Sequence, residues 1–242
     1  KNGKRVALIG AGPASLTVAN DLLPLGYDVT IYEKNVTPGG LMRINIPSFR
    51  LPAKVLDEEC GYIIDMGATM KYGTPVTSLK ALLDSKEYDA VFVGTGAPMG
   101  RDLDVPGRQE ASDQIHIGIN WLASVSFGHV QSVGKQVIVL GGGNTAMDCC
   151  RSAKRLGADD VKVIVRSGFE EMKASPWEKE DAMHEGIPIV NYHVPKRCVV
   201  EGGKLVGMEF EIVEAVYDAN GKRTLKPTGA PPPFFPCDTV LV

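Results

Sequence analysis

The chain has 242 residues, a formal net charge of −3 and 44% hydrophobic residues, which suits one or two soluble domains with a sizeable core. Mild acidity without a basic tract argues against nucleic acid or an anionic membrane surface as a partner. No apolar run approaches the ~18 residues of a membrane span.

The first informative stretch runs from Lys4 to Glu33. Val6 to Ile9 is an apolar run short enough to be a buried strand. Gly10-Ala11-Gly12-Pro13-Ala14-Ser15 follows, then a helical segment to Leu23 and a strand from Asp28 to Tyr32 that ends at Glu33. This is the strand, turn, helix, strand order of a dinucleotide fold, with a carboxylate roughly 20 residues past the glycines. Gly10 permits the tight turn, and Gly12 lets backbone approach a pyrophosphate. The helix N-terminus offers unpaired N–H groups and a positive dipole end. Pro13 suits a first helical position, and Glu33 is placed to accept hydrogen bonds from ribose hydroxyls. Ser15 stands at the third glycine position, where a small residue allows close helix–strand packing. Two plainer readings exist: a glycine-rich turn in an ordinary α/β domain, and a secretory signal. Gly, Pro and Asn interrupt the apolar run and Asp21 closes it, which speaks against a signal.

Thr37-Pro38-Gly39-Gly40-Leu41-Met42-Arg43 and Ile46-Pro47-Ser48-Phe49-Arg50-Leu51-Pro52 read as a loop of fixed course, able to run along an extended cofactor or simply to connect elements. Ala53 to Met66 has helical spacing and Gly67 ends it. Ala68 to Tyr72 reads as a strand, Ser78 to Leu83 as a short helix, and Tyr88 to Val93 as a strand leading to Gly94-Thr95-Gly96-Ala97.

A second cycle follows. Ile115 to Val125 reads as a helix and Gln136 to Leu140 as an apolar strand. Gly141-Gly142-Gly143-Asn144-Thr145-Ala146 then repeats the glycine turn as G-x-G-x-x-A, with a helix to Leu156, Gly157 as its stop and a strand from Val161 to Val165. The turns start at Gly10 and Gly141, a separation of 131 residues, about one small domain. Two such fingerprints predict two dinucleotide sites. Glu33 has no counterpart in the second; Arg166-Ser167 stands there. Arg accommodates the 2′-phosphate of NADP where a carboxylate favours NAD. Arg166 could equally stack on adenine, pair with Glu170 or Glu171, or be a solvated cation at a strand end.

Ser175 to Glu185 is an amphipathic, charged helix. Ile187 to Tyr192, Arg197 to Val200 and Leu205 to Val213 read as strands, with hairpin turns at Gly202-Gly203 and Asn220-Gly221. Gly229 to Pro233 is a stiff loop. Asp238 to Val242 is an apolar strand; an α/β domain rarely ends on one, so further polypeptide is expected beyond it. Cys60, Cys149, Cys150, Cys198 and Cys237 form no C-x-x-C pair and have no iron–sulfur spacing, which suits buried thiols in a reducing cytoplasm. His116, His129, His184 and His193 are scattered without metal-ligand spacing.

Together these stretches resemble the small (β) subunit of glutamate synthase and its FAD- and NAD(P)H-dependent relatives. The resemblance rests on Val6 to Ala14, Gly39 to Arg43, Ile46 to Pro52, Gly94 to Ala97 and Gly141 to Asp148. Asn45 departs from the family pattern, in which Gly precedes Ile46-Pro47. The resemblance implies two Rossmann-like α/β domains in a glutathione-reductase-like arrangement without the redox disulfide. Residues 1–99 would be an FAD domain lacking its C-terminal closing segment, and residues 100–242 an NAD(P) domain. Gly10, Gly12, Pro13 and Ala14 would flank the FAD pyrophosphate, and Glu33 would bind its adenosine ribose. Gly40, Leu41 and Arg43 would continue along the cofactor, Val76 would meet the adenine through its backbone, and Thr95 and Gly96 would pass near the pyrophosphate. Gly141, Gly143, Asn144, Thr145, Ala146 and Arg166 would hold the nicotinamide nucleotide. Many relatives carry two arginines where this chain has Arg166-Ser167, which tilts the expectation slightly toward NAD.

The implied function is an electron-transfer subunit. Hydride would pass between nicotinamide C4 and flavin N5 with no side-chain acid or base, and electrons would go on to iron–sulfur clusters of a partner or of a domain outside this sequence. That partner would be the glutamate synthase large subunit, or a ferredoxin-linked or tungsten or molybdenum aldehyde oxidoreductase. The alternatives are a flavin- or nucleotide-stabilised scaffold without catalysis, and a disulfide reductase, which the cysteine positions disfavour. No catalytic side chain and no metal ligand is expected.

Overall fold

Parallel strands joined by crossover helices bury both sheet faces, so their sequences read as short, nearly continuous apolar runs. The computed structural model describes residues Lys1–Val242 and divides into two units, Lys1–Pro98 and Met99–Val242.

The first unit contains β1 (Arg5–Ile9), α1 (Pro13–Leu22), β2 (Asp28–Tyr32), α2 (Leu41–Ile44), α3 (Ala53–Ile64), β3 (Thr69–Lys71), α4 (Leu79–Asp84) and β4 (Ala90–Val93). Its sheet runs β3-β2-β1-β4 with every pair parallel. Leu8 and Ile31 of the central strands are fully buried and share one core with Leu16 and Ala19 of α1 and Leu56 and Cys60 of α3. Gly67, at φ +114, closes α3 by donating to the Ile64 carbonyl at 3.0 Å, as its position at the helix end leads one to expect. The loop after Glu33 holds the short helix α2, which its Gly- and Pro-rich composition conceals.

The second unit contains β5 (Ile115–His116), α5 (Gly118–Ser126), β6 (Gln136–Leu140), α6 (Asn144–Arg155), β7 (Asp160–Ile164), α7 (Pro176–His184), β8 (Ile189–Val190), β9 (His193–Glu201), β10 (Lys204–Tyr217), β11 (Arg223–Pro227), β12 (Phe234–Pro236) and β13 (Thr239–Leu241). A parallel sheet runs β5-β13-β6-β7-β8, and an antiparallel layer joins β9, β11 and β12 to the long strand β10. Alternation along β6 explains the layering. Val137 and Val139 face a core shared with Trp121 and Leu122 of α5 and Met147 and Cys150 of α6, whereas Ile138 faces Cys198, Met208 and Phe210 of the antiparallel layer. Helices cover one face of the parallel sheet and the antiparallel layer covers the other.

Three further elements depart from the sequence reading. Ile115 and His116 form a strand, not the start of a helix, because they pair with Val240 and Leu241 of β13. The 115, 119, 122 spacing fits either state, and only the distant partner decides. β10 runs on past Val213 to Tyr217 because β11 pairs with it there. Phe234–Pro236 is a strand at the edge of the antiparallel layer, where a proline leaves no central ladder bond unmade.

One polar cluster ties α6 to α7. Arg151 is 7% exposed and Glu178 4%, and they meet at 3.1 Å. Arg151 also reaches Asp181 at 3.1 Å and Glu185 at 2.9 Å, and Arg155 meets Glu185 at 2.6 Å. Removing one partner of such a buried pair leaves an uncompensated charge. Arg151→Met is therefore expected to lower unfolding free energy by ~3–5 kcal/mol in urea titrations, against under ~1 kcal/mol for the exposed Lys80–Asp84 pair of α4. The hydrogen bond from Arg155 is the main reason the Glu185 carboxyl is held below its usual range. Its stabilisation is present above the ordinary carboxylate range and is lost as pH falls through the lowered folded value. Glu185→Gln is expected to flatten that part of an acid unfolding curve.

Candidate functional site

β1 delivers the chain into Gly10 at φ +89, where a Cβ would lie 2.7 Å from the Gly94 carbonyl oxygen. The Gly94-Thr95 backbone therefore lies against the first glycine turn, with Gly96 beyond it in open space. Gly12 is the N-cap of α1 and Pro13 its first residue, so no side chain caps this helix. The Ala14 and Ser15 N–H groups donate to nothing in the chain. α4 shows the contrast: its Ser78 hydroxyl accepts from the Ala81 N–H at 3.1 Å. A helix start left open at the end of a parallel strand is an anion seat.

Gly39 and Gly40 complete that seat. The Gly39 N–H donates to the Ala11 carbonyl at 2.8 Å, and Gly40 (φ +53) packs so closely that a Cβ there would fall 2.7 Å from Gly12 Cα. Leu41 follows, half-buried, at the start of α2. The Arg43 guanidinium bonds the Pro38 carbonyl and Asp57 of α3, so it closes its own loop. Glu33 is 4% exposed; one oxygen accepts from the Ala11 N–H at 2.7 Å and the other from the Asn35 N–H at 2.8 Å. It braces the glycine turn, and its remaining lone pairs can still accept from hydroxyls. The Thr74 N–H donates to the Glu33 carbonyl at 2.9 Å, which holds the stretch leading to half-buried Val76 beside this acid.

Ser15 shows how the third glycine position is filled. It is fully buried, its Oγ has no partner, and a Cβ at Gly94 would sit 2.1 Å from that oxygen. The missing glycine is replaced by one on the facing strand end. Close helix–strand packing is kept by exchanging which side is small.

The second seat is built alike. β6 leads to Gly141 at φ +133, Gly143 caps α6 without a side-chain bond, and the Asn144 and Thr145 N–H groups are open. Ala146 is buried beneath. This seat has a brace the sequence reading missed. The Asn144 carboxamide oxygen accepts from the Ser175 N–H at 2.8 Å, and the Ala174 N–H donates to the Gly142 carbonyl at 2.9 Å. Met172 to Ser175 thus locks the turn to the start of α7. The only sequence signal was Ser175-Pro176 opening a helix, a pattern shared by many helices without a site. Past β7, Arg166 is exposed and makes no hydrogen bond or ion pair within the chain. Of its two candidate partners, Glu171 is taken by other groups.

All five cysteines are free and buried. Burial pushes the Cys150 and Cys237 thiols up to about 12 and Cys149 well above its ordinary value. Such thiols do not supply a nucleophilic thiolate. No group of His, Cys, Asp or Glu is arranged to hold a metal ion, and no helix is long and apolar enough to cross a membrane.

A family model described as pyridine nucleotide-disulphide oxidoreductase matches residues 4–242. The chain belongs to that family. It is 38% identical over 245 residues to the NADP(+)-dependent formate dehydrogenase subunit beta of Moorella thermoacetica, covering 99% of this chain and 34% of that protein. It is 34% identical to the NADPH-Fe(3+) oxidoreductase subunit beta of Geobacter sulfurreducens, covering 100% of this chain and 37% of that protein. The NAD-dependent dihydropyrimidine dehydrogenase subunit PreT homolog of Salmonella typhi is 38% identical over 85% of this chain and 49% of its own length. The chain thus spans about a third to a half of these curated relatives. Among solved structures, FprA from Mycobacterium tuberculosis superposes with a TM-score of 0.83 at 19% identity, over 98% of this chain and 70% of that one. Thioredoxin reductase from Lactococcus lactis gives 0.65 at 19% identity, over 98% and 76%.

These likenesses establish two Rossmann-like dinucleotide-binding domains of the pyridine nucleotide-disulphide oxidoreductase family, in agreement with the resemblance read from the sequence. The first seat fits a pyrophosphate: Gly40 packs on Gly12 too closely for a Cβ at Gly40, and the helix start is open. Gly40→Ala is expected to abolish copurifying FAD, read from the visible flavin spectrum, because the added methyl meets backbone at 2.7 Å in a left-handed conformation. Native thiol titration with a chromogenic disulfide is expected to give no fast-reacting cysteine, and denaturation to release all five.

Proposed function

We propose that this chain is the nucleotide-binding part of an electron-transfer flavoprotein subunit that takes hydride from NADPH and passes electrons to iron–sulfur centres of a larger complex. The observation behind this reading is the pair of open helix starts, each behind a glycine turn at the end of a parallel strand. One chain that seats two dinucleotides has the parts for exchange between them. FAD held at the first seat supplies a hydride acceptor that can also release single electrons. Gly10, Gly12, Pro13, Ala14, Gly40, Thr95 and Gly96 form its pyrophosphate seat, Glu33 takes the ribose, and Leu41 and Val76 line its course. Arg43 keeps the Pro38 to Arg43 loop closed over that seat. Gly141, Gly143, Asn144, Thr145 and Ala146 seat the pyrophosphate of the nicotinamide nucleotide, with Ser175 fixing Asn144. No side chain is needed as acid or base for a hydride step, so the protein aligns the reactants and excludes water.

NADPH is preferred over NADH because Arg166, at the position of the ribose acid, is an unpaired cation. A 2′-phosphate is the group that would pair with it. Ser167 in place of a second arginine argues the other way, and the free guanidinium outweighs it. The NADP(+)- and NADPH-linked relatives favour the same reading. Those relatives are also named as beta subunits, which favours partner subunits here, and five reduced thiols favour the cytoplasm. A disulfide reductase would need a reactive thiol pair, and buried, raised thiols speak against one.

Anaerobic reduction of the full-length flavin-loaded subunit tests this. Rapid bleaching of the flavin band by NADPH, with NADH slower, is the expected result. A bound flavin that neither nucleotide reduces would make the chain a nucleotide-stabilised scaffold instead. Arg166→Ala is expected to raise the KM for NADPH about 10- to 100-fold, the range for one charge-assisted contact, and to leave the NADH reaction within about twofold.

A further inference from the structure

Glu171 follows Arg166 by five residues in the same loop. It does not pair with Arg166; its carboxylate is engaged by other groups. One of its oxygens accepts from the Gly168 N–H at 2.8 Å and meets Arg223 Nη1 at 3.1 Å. The other accepts from the Tyr217 hydroxyl at 3.1 Å. Tyr217 and Arg223 face each other across the closed end of the β10–β11 hairpin. The turn between them is fixed by the Asp218 carboxylate, which accepts from the Asn220 N–H at 2.9 Å and the Lys222 N–H at 2.8 Å.

The rest of the Arg166 loop is also pinned. Asn191 Nδ2 donates to the Ser167 carbonyl at 2.9 Å. Tyr192, in a left-handed conformation at φ +59, places its hydroxyl where a Cβ on Gly168 would be 2.5 Å away. Lys179 donates to the Phe169 carbonyl at 3.0 Å and sits 4.2 Å from that ring's centre. The backbone around Arg166 is thus braced from three directions while its side chain stays free.

We propose that the tip of the β10–β11 hairpin selects the coenzyme. Arg223 and Tyr217 withhold the Glu171 carboxylate from Arg166 and neutralise it, which leaves the Arg166 guanidinium for the 2′-phosphate of NADP(H). This rests on the reading of the second seat as an NADP(H) site. Arg223 is a positioning residue: it acts on Glu171 and not on the nucleotide. A released Glu171 would compete for Arg166 and would also repel a phosphate dianion.

The test is calorimetric binding of 2′,5′-ADP and of 5′-AMP to the full-length flavin-loaded subunit. The two probes differ only in the 2′-phosphate. Wild type is expected to prefer 2′,5′-ADP at least tenfold. Arg223→Leu is expected to reduce that preference about tenfold with 5′-AMP affinity unchanged. Adding Glu171→Gln to Arg223→Leu is expected to restore it, because the competing charge is gone. Tyr217→Phe, which deletes one hydroxyl, gives a smaller drop in the same direction and serves if the leucine variant folds poorly. Equal losses for both probes, an unchanged preference in both hairpin variants, or failure of the glutamine to rescue would overturn the inference. Equal binding of the two probes by wild type would overturn it together with the NADP(H) assignment. Intact preference and rescue in a subunit whose flavin no nucleotide reduces would support the selecting hairpin while overturning the proposed electron transfer.

Discussion

Everything at the two seats depends on helix starts that the chain does not cap. A helix start leaves several N–H groups without partners, a cost that a Ser, Thr, Asp or Asn side chain can meet. In this chain α4 alone does so, through Ser78, and what sets α1 and α6 apart is that each starts behind a glycine turn at the end of a parallel strand, at Gly12 and Gly143. Glycine gives nothing back to those donors. It removes the side chain that would fill the space, so the open groups and the open volume coincide. In both units a neighbouring segment then closes on the turn: Gly39-Gly40 on the first, Ala174-Ser175 on the second. The closures use different residues and different geometry for the same end, a braced glycine turn behind an open helix start.

Rigidity has a source in each core. In the first unit Glu33 spans from the end of β2 to the Ala11 N–H, so the turn is fastened by a carboxylate instead of a longer loop. Ser15 and Gly94 keep helix and strand in contact by sharing the small-residue requirement between them. In the second unit the Arg151–Glu178 pair fixes α6 against α7, and α7 carries Ser175 to Asn144. The ion pair is buried one helical turn past Ser175, so the bracing of the second turn runs through it.

The strongly local features were legible in the sequence. The glycine turns, their strands and helices, the stop at Gly67 and the hairpin turns at Gly202-Gly203 and Asn220-Gly221 depend on residue type at fixed short spacing, and each formed where expected. What stayed hidden depends on distant partners. Ile115-His116 becomes a strand because of β13, and Phe234–Pro236 becomes one because β10 offers an edge. The same limit applies at the seats. Arg166 could be picked out at the end of its strand, but whether Glu171 would capture it depended on Tyr217 and Arg223, about fifty residues further on. Arg43 has the opposite history, since a residue matched to the family's cofactor stretch spends its guanidinium on Pro38 and Asp57.

The two seats differ in what they still lack. At the first, the residue ending the second strand is an acid whose oxygens already accept from two backbone N–H groups. It is satisfied without ligand, and a ribose adds hydroxyl donors to lone pairs left over. At the second, the equivalent position holds a cation with no partner, in a loop whose one nearby engaged carboxylate is tied down by three donors. A neutral ribose leaves that cation as it was, and an added phosphate does not. One duplicated scaffold therefore carries opposite charges at equivalent strand ends, and the antiparallel layer, which has no counterpart in the first unit, supplies the hairpin that ties down Glu171.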